Sequence, residues 1–325
     1  MPWIATSVED FKMSQQITTA FVKQFGANIY FLAQQKGSRL RGAVRNETQV
    51  GDTAYYDQIG QVAAILKTSR YSNTPQIDTP HARRAVTMSD YEWADLIDKQ
   101  DKIRTLIDPQ SAYVQSAVWA MGRSMDDVII AAATGTAYTG VSAGTATILP
   151  TTQMYACNDG TNFSNLNVNS LRGIKNIFDS NDVDESIPRY IACASSQIQN
   201  LLVETQVTSA DYNTVKALVE GKIDTFMGFK FIRTQRLATV ASGSYTASSN
   251  TGVVSTGSTF TYTTARNVIA WAQDGILLST GMDVMARVDE RPDKSYSTQC
   301  YAAMSLGAVR MEEVKVVSAI AVEAA

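Results

Sequence analysis

The chain has 325 residues, 45% hydrophobic and 18% charged, which is enough for a full core and above the size at which one core usually stops growing. A formal net charge of -3 lacks the basic excess that sequence-independent nucleic-acid binding requires. The N-terminus, MPWIATSVEDF, has no basic segment followed by an apolar run and no stretch reaches bilayer-spanning length, so the expectation is no signal peptide, no membrane helix and a cytosol-like compartment.

Taken in order, residues 9–35 (EDFKMSQQITTAFVKQFGANIYFLAQQ) place Phe11, Thr18, Phe21, Val22, Phe25, Ile29 and Leu32 at helix-compatible spacing, with Gly26 as an interruption. Two readings fit: an N-terminal arm lying on something else, or an amphipathic core helix. From Lys36 to Pro80 the character changes. Arg39–Val44 and Tyr55–Ile59 alternate on either side of a Gly51-Asp52 turn signal, which predicts a long polar β-hairpin. Such an extension has no core of its own, so a neighbour must order it; without one it is a surface loop.

Ser89 stands as the cap of a predicted helix, SDYEWADLIDKQDKIRTLI, with Trp93, Leu96, Ile97, Ile103, Leu106 and Ile107 as its apolar positions. Asp108-Pro109 breaks it and opens the strongest element, DPQSAYVQSAVWAMGRSMDDVIIAAAT, over 108–134. Asp108 is a cap type, Pro109 suits the first turn, and Gly135 follows the last periodic residue. Val114, Ala117, Val118, Met121, Met125, Val128, Ile129 and Ala132 keep a 3.6 spacing, so a rod of roughly 40 Å is expected.

Residues 135–168 read as an exit loop with a strand at most. SLRGIKNIFDSNDVD, from Ser170, predicts a helix burying Leu171, Ile174, Ile177 and Phe178. PRYIACA is a strand, SSQIQNLLVET a short helix capped by serine, ADYNTVKALVEG a helix closed by Gly221, and IDTFMGFKFIRTQRL one strand or two. The Ser/Thr/Gly-rich segment from Ala241 is a surface loop or flexible hairpin. In the last section Tyr301, Met304, Leu306, Val309, Val314 and Val316 alternate roughly, as in two long strands or a strand with a bent partner.

Residues for chemistry are scarce. Cys157, Cys193 and Cys300 have no CxxC spacing and read as buried thiols. The single histidine, His81, sits in a turn-rich solvated segment and reads as a surface residue. GTAYTGVS, from Gly135, has phosphate-loop spacing but carries Val141 where lysine must stand. Asp179, Asp182, Asp184 and Glu185 lack the ligand alternation and turn glycine of a calcium loop. Asp126 and Asp127 are adjacent on a helix, point about 100° apart, and cannot share a site. We assign no catalytic, cofactor or metal residue, and expect no enzyme.

FVKQFGANIYFLAQQKGSRLR, DYEWADLIDKQDKIRTLIDPQSAYVQSAVWAMGRSMDDVIIAAATGTAYTG and CYAAMSLGAVRMEEVKVVSAI carry a resemblance over nearly the whole chain. Together with the order of parts, they resemble the major capsid proteins of tailed bacteriophages, of podovirus type and HK97-type fold. The resemblance implies an α+β subunit with an N-terminal arm (1–36), an extended β-hairpin loop (37–80), a peripheral domain with a spine helix (81–134), a mixed α/β axial domain (135–280), and return strands of the peripheral domain with the C-terminus (281–325). It implies self-assembly as hexamers and pentamers into an icosahedral shell around double-stranded DNA, in the cytoplasm of a bacterial host, with no membrane. Scaffolding, portal and in some relatives decoration proteins are the implied partners. As the sequence begins directly with the arm, the expectation is a separate scaffold or a mature form.

Phe21 and Phe25 are the expected apolar inter-subunit contacts, and Arg39, Arg41, Arg83 and Arg84 the expected inter-subunit ion pairs. Lys67 lies in the loop, with no identified partner for a covalent cross-link. Two other readings stay beside this one: an encapsulin-like compartment holding protein cargo, against which the polar hairpin speaks, and a soluble α/β enzyme or ligand-binding domain with a concave pocket.

Overall fold

The computed structural model describes residues 32–71, 73–98, 110–159, 163–204, 225–246 and 259–323. The first four strands are β1 (Arg45–Thr48), β2 (Thr53–Ile59), β3 (His81–Thr87) and β4 (Ser89–Ile97). Helix α1 (Gln110–Thr134) follows, then β5 (Ala137–Thr139), β6 (Thr145–Thr147), β7 (Met154–Ala156), α2 (Val168–Ser180), β8 (Arg189–Cys193) and α3 (Ser195–Val203). The chain continues through β9 (Thr225–Phe226), β10 (Phe229–Arg233), β11 (Thr239–Thr246), β12 (Thr259–Ala272), β13 (Ile276–Arg291), β14 (Ser297–Arg310) and β15 (Val316–Val322).

Among the described residues three sheets form: a long one in the order β1-β13-β14-β4, a larger one in the order β7-β15-β12-β8-β10-β9 with β11 paired to β12, and a small one in the order β2-β3-β5-β6. Helix α1 packs on the long sheet. Its buried stripe of Ala117, Met121, Met125, Ile129 and Ala133 meets Ala302, Met304 and Leu306 of β14, and also Ala192, Ile269 and Trp271 on one face of the large sheet. The other face of that sheet is covered by α2 and α3, with Leu171, Ile174, Ile177, Phe178 and Leu201 buried against Ile191, Val268 and Val317. Among the described residues, an apolar core therefore lies on each face of the large sheet.

The predicted rod is present, and 25 residues give it a length of roughly 37 Å. Val118 departs from the expected stripe and is 37% exposed. Asp108 and Pro109, its expected start, lie outside the described residues.

The helix expected from Ser89 is corrected over its described part: residues 89–97 form strand β4, antiparallel to β14. The same residues carry a second periodicity. Tyr91 and Trp93 lie opposite Met304 and Ala302, with Ile97 opposite Thr298, so Tyr91 and Trp93 share the face that packs on the core of α1. Pairing with a 14-residue strand outweighed a helical spacing that has weak propensity behind it. The rest of that expected helix, 99–107, lies outside the described residues.

The expected hairpin between Arg39–Val44 and Tyr55–Ile59 is also not formed. Leu40, Ala43 and Val44 are apolar and buried, and the Trp271 indole N–H donates to the Ala43 carbonyl at 2.8 Å. That draws the first leg into the core, where β1 pairs in parallel with β13. The second leg, β2, pairs with β3, and the intervening loop is closed at its base by the Gly60 N–H donating to the Pro80 carbonyl at 2.8 Å.

Local signals elsewhere resolve as follows. The N-cap of α2 is Asn167, whose side chain accepts from the Ser170 N–H at 2.7 Å, three residues earlier than the expected start. No serine caps α3: Ala194 holds that position, its N–H donating to Gln197 Oε1 at 3.1 Å. The segment expected as one strand or two is two, β9 and β10. They are joined through Met227 and Gly228, both at positive φ (52° and 85°), the conformation a two-residue hairpin demands. The segment from Ala241 lies in the β11–β12 hairpin, whose connection is outside the described residues, as is the helix expected in ADYNTVKALVEG.

Candidate assembly surface

Two appendages leave this body, and each has a dedicated anchor. The first is the stretch entering from the N-terminal side, pinned on α1. Asp126, fully buried, accepts from Ser38 Oγ (2.6 Å), Gln35 Nε2 (2.5 Å), the Arg39 N–H (3.1 Å) and the Leu40 N–H (3.1 Å). A buried carboxylate is tolerable inside a protein when its lone pairs are filled in this way. One turn earlier, Arg123 donates to Gln34 Oε1 (3.0 Å) and to the Gln35 carbonyl (3.1 Å). Next to Arg123, Gly122 lets the backbone of Gly37 and Ser38 touch the helix, and Lys36 sits over the Trp119 ring at 5.4 Å. Asp127 turns away from Asp126 and pairs with Arg236.

The second appendage is the loop between β2 and β3. Every described residue of 60–80 is exposed. They include Val62 (50%), Ile65 (58%), Leu66 (83%) and Tyr71 (97%), large apolar side chains that stand half to almost wholly in solvent. The stem is rigid by contrast. The small sheet packs Tyr56, Val86 and Ala137 on Leu277, Val309 and Met311. Arg84 on β3 is buried; its Nε donates to the Met311 carbonyl at 2.8 Å and its Nη2 to Glu313 at 2.5 and 2.6 Å.

The residues expected to act between subunits are placed as follows. Phe21 and Phe25 lie outside the described residues. Arg39 Nη1 donates to the Arg233 carbonyl at 2.6 Å. Arg41 is exposed and pairs with both carboxylate oxygens of Asp283 (3.0 and 2.7 Å), a hydrogen bond that raises the guanidinium pKa and lowers that of the carboxyl. Arg83 donates to Asp57 Oδ1 at 2.6 Å and lies over the Tyr55 ring, and its hydrogen bond holds the Asp57 carboxyl below the usual range. The four arginines are not gathered in one place. Arg39 and Arg41 serve the first anchor, and Arg83 and Arg84 the second.

Sequence reading did not single out Gly37, Gly122, Arg310 or Glu313, and it discounted Asp126. A signal existed for Gly122: an isolated glycine inside a strongly periodic helix usually marks a close approach. The three cysteines are buried, and burial pushes the Cys157 thiol up to about 12. Among the described residues, no helix is long and apolar enough to cross a membrane.

This architecture is shared. Among solved structures, the chain is similar to the capsid of Ralstonia phage GP4 (9% identity, TM-score 0.69, 99% of each chain covered). It is similar to the capsid of cyanophage P-SCSP1u (15% identity, TM-score 0.67, 95% of each chain). It is also similar to the capsid of Helicobacter pylori bacteriophage KHP30 (12% identity, TM-score 0.65, 98% of this chain and 99% of that one). No curated protein sequence matches it. The fold is the HK97-type fold of shell-building subunits. The phage capsid protein family model matches residues 17–323, and the chain belongs to that family. It is a structural major capsid protein of a tailed phage, a component of the virion shell.

Proposed function

We propose that copies of this chain tile an icosahedral shell, as hexamers and pentamers, around packaged double-stranded DNA. The observation that carries this reading is the β2–β3 loop: a fixed stem bearing some twenty exposed residues, with Leu66 and Tyr71 in solvent. An isolated subunit has no use for such an element, whereas a neighbour can bury it. The first anchor suits an arm, residues 1–36, that leaves α1 to lie on another subunit, where Phe21 and Phe25 would pack. Residues 37–80 supply the extended loop, 81–134 and 281–325 the peripheral domain, and 135–280 the axial domain. Arg39, Arg41, Arg83 and Arg84 set register at these contacts, Arg84 by holding the stem from within.

Assembly takes place in the bacterial cytoplasm, with a scaffolding protein, a portal and in some cases a decoration protein as partners. The DNA is enclosed without sequence-specific binding, as the net charge of -3 suggests, and the chain performs no catalysis. Negative-stain microscopy and light scattering of the recombinant protein, alone and with lysate from its source, test this. Closed angular particles tens of nanometres across are the expected result, and DNA with a portal inside would separate a phage shell from a cargo compartment. A monomer that persists with lysate present would overturn the reading.

A further inference from the structure

Arg310, at the end of β14, is the second buried arginine in this region and is 0% exposed. Its Nη1 donates to the carbonyls of Ala133 (3.0 Å), in the last turn of α1, and Gly135 (2.8 Å), just beyond it, and its Nη2 to the Thr147 carbonyl at 3.1 Å. A cation belongs at a helix C-terminus, where the aligned peptide dipoles leave partial negative charge. Arg310 Nε lies 3.7 Å from Glu313 Oε1, the same oxygen that accepts from Arg84 Nη2. One carboxylate thus serves two buried guanidiniums, one from the loop stem and one that grips the spine helix.

We propose that Glu313 couples the stem of the extended loop to the C-terminal end of α1, so that the two shift together. Neither arginine has slack. Among the described residues Arg84 Nη1 and Arg310 Nε have no hydrogen-bond acceptor, and Glu313 is the carboxylate paired with each. If the stem moves, Arg84 either drags Glu313 along, withdrawing charge from Arg310, or becomes an unpaired buried cation, which is the costlier outcome. Arg84 Nε also holds the carbonyl of Met311, the residue next to Arg310, so the backbone reinforces the side-chain link. Resting on the shell reading above, this means that a neighbour's grip on the loop is felt at the end of the spine helix. Coupling of this kind requires an element both sites bias, and the Arg84–Glu313–Arg310 cluster is that element.

Hydrogen–deuterium exchange on the unassembled full-length chain tests the coupling independently of whether shells form. Arg84→Lys keeps the charge but loses the forked geometry, and every bond that Arg84 makes lies outside α1. Exchange is expected to rise roughly tenfold, the usual consequence of losing a charged hydrogen bond, both in 81–87 and in 130–135. The anchor at 38–43 is expected to stay unchanged. Arg310→Lys should loosen 81–87 reciprocally, and the double variant should add less than the sum. Glu313→Gln should loosen both ends at once; if that variant fails to fold, the two lysine variants carry the test. A rise confined to the mutated end, a uniform rise through β8 and β12, or no rise would overturn the proposal.

Discussion

Gly37 and Gly122 lie in backbone contact: a Cβ built on Gly122 would stand 2.5 Å from the Gly37 carbonyl carbon. Neither partner can yield, because one is a helix interior and the other is held by Asp126 through the residues that follow it. Gly122→Ala is therefore expected to destabilise the subunit by about 1–3 kcal/mol, although alanine is the better helix former. Thermal denaturation measures this. An unchanged or raised midpoint would show that the contact is loose.

Asp126→Asn tests the other half of the anchor. An amide keeps one acceptor oxygen and turns an NH2 group toward the Ser38, Arg39 and Leu40 donors. A loss of about 3 kcal/mol is expected, from the unfilled donors of a buried site. Urea unfolding gives the value, and faster proteolysis near residue 35 would locate it at the arm.

Arg41→Ala and Arg83→Ala should separate folding from assembly. Both side chains are over 40% exposed, and exposed ion pairs contribute little to subunit stability. The melting midpoint should stay within error of the wild type, while shell yield falls if these residues fix register between copies. Equal shell yield from both variants would remove them from the interface.

Stability should fall at both ends of the pH scale. The hydrogen bond from Arg266 holds the Glu323 carboxyl below its ordinary value of 4.5, with Ser196 and Gln197 as further donors. That contribution is complete above 4.5 and is lost as pH falls through the lower folded-state value. Burial pushes Tyr155 and Cys157 each up to about 12, from 10.0 and 9.0. Their contribution is complete below those ordinary values and declines above about pH 9, where the unfolded chain releases protons that the native one keeps. A plateau between the two limits, measured by urea unfolding across pH, is expected. Iodoacetamide should leave all three cysteines unmodified until the chain unfolds.

How much of this was legible beforehand depended on whether the deciding partner was local. Helix α1 and helix α2 carry their own 3.6 periodicity, so those elements could be read directly, whereas the stretch through the Met227-Gly228 turn reads as one strand or two. Trp93 and Ile97 fit both a helical and an alternating period, and only β14, two hundred residues later, decides between them. The same holds for Arg39–Val44, whose fate rests on Trp271. Asp126 illustrates the limit at a site. Sequence reasoning correctly separated it from Asp127, yet nothing near it in the chain names Ser38, Arg39 or Leu40 as its donors.

The parallel pairing of Arg45 with Leu277 has a consequence in time. Arg45–Thr48 is made more than two hundred residues before the strand it pairs with. Until β13 has been made, β1 has no partner in the long sheet, and pairing across so wide a gap is slow to form. A half-made chain can therefore seat residues 35–40 on α1 while the strand that follows them still waits for its sheet.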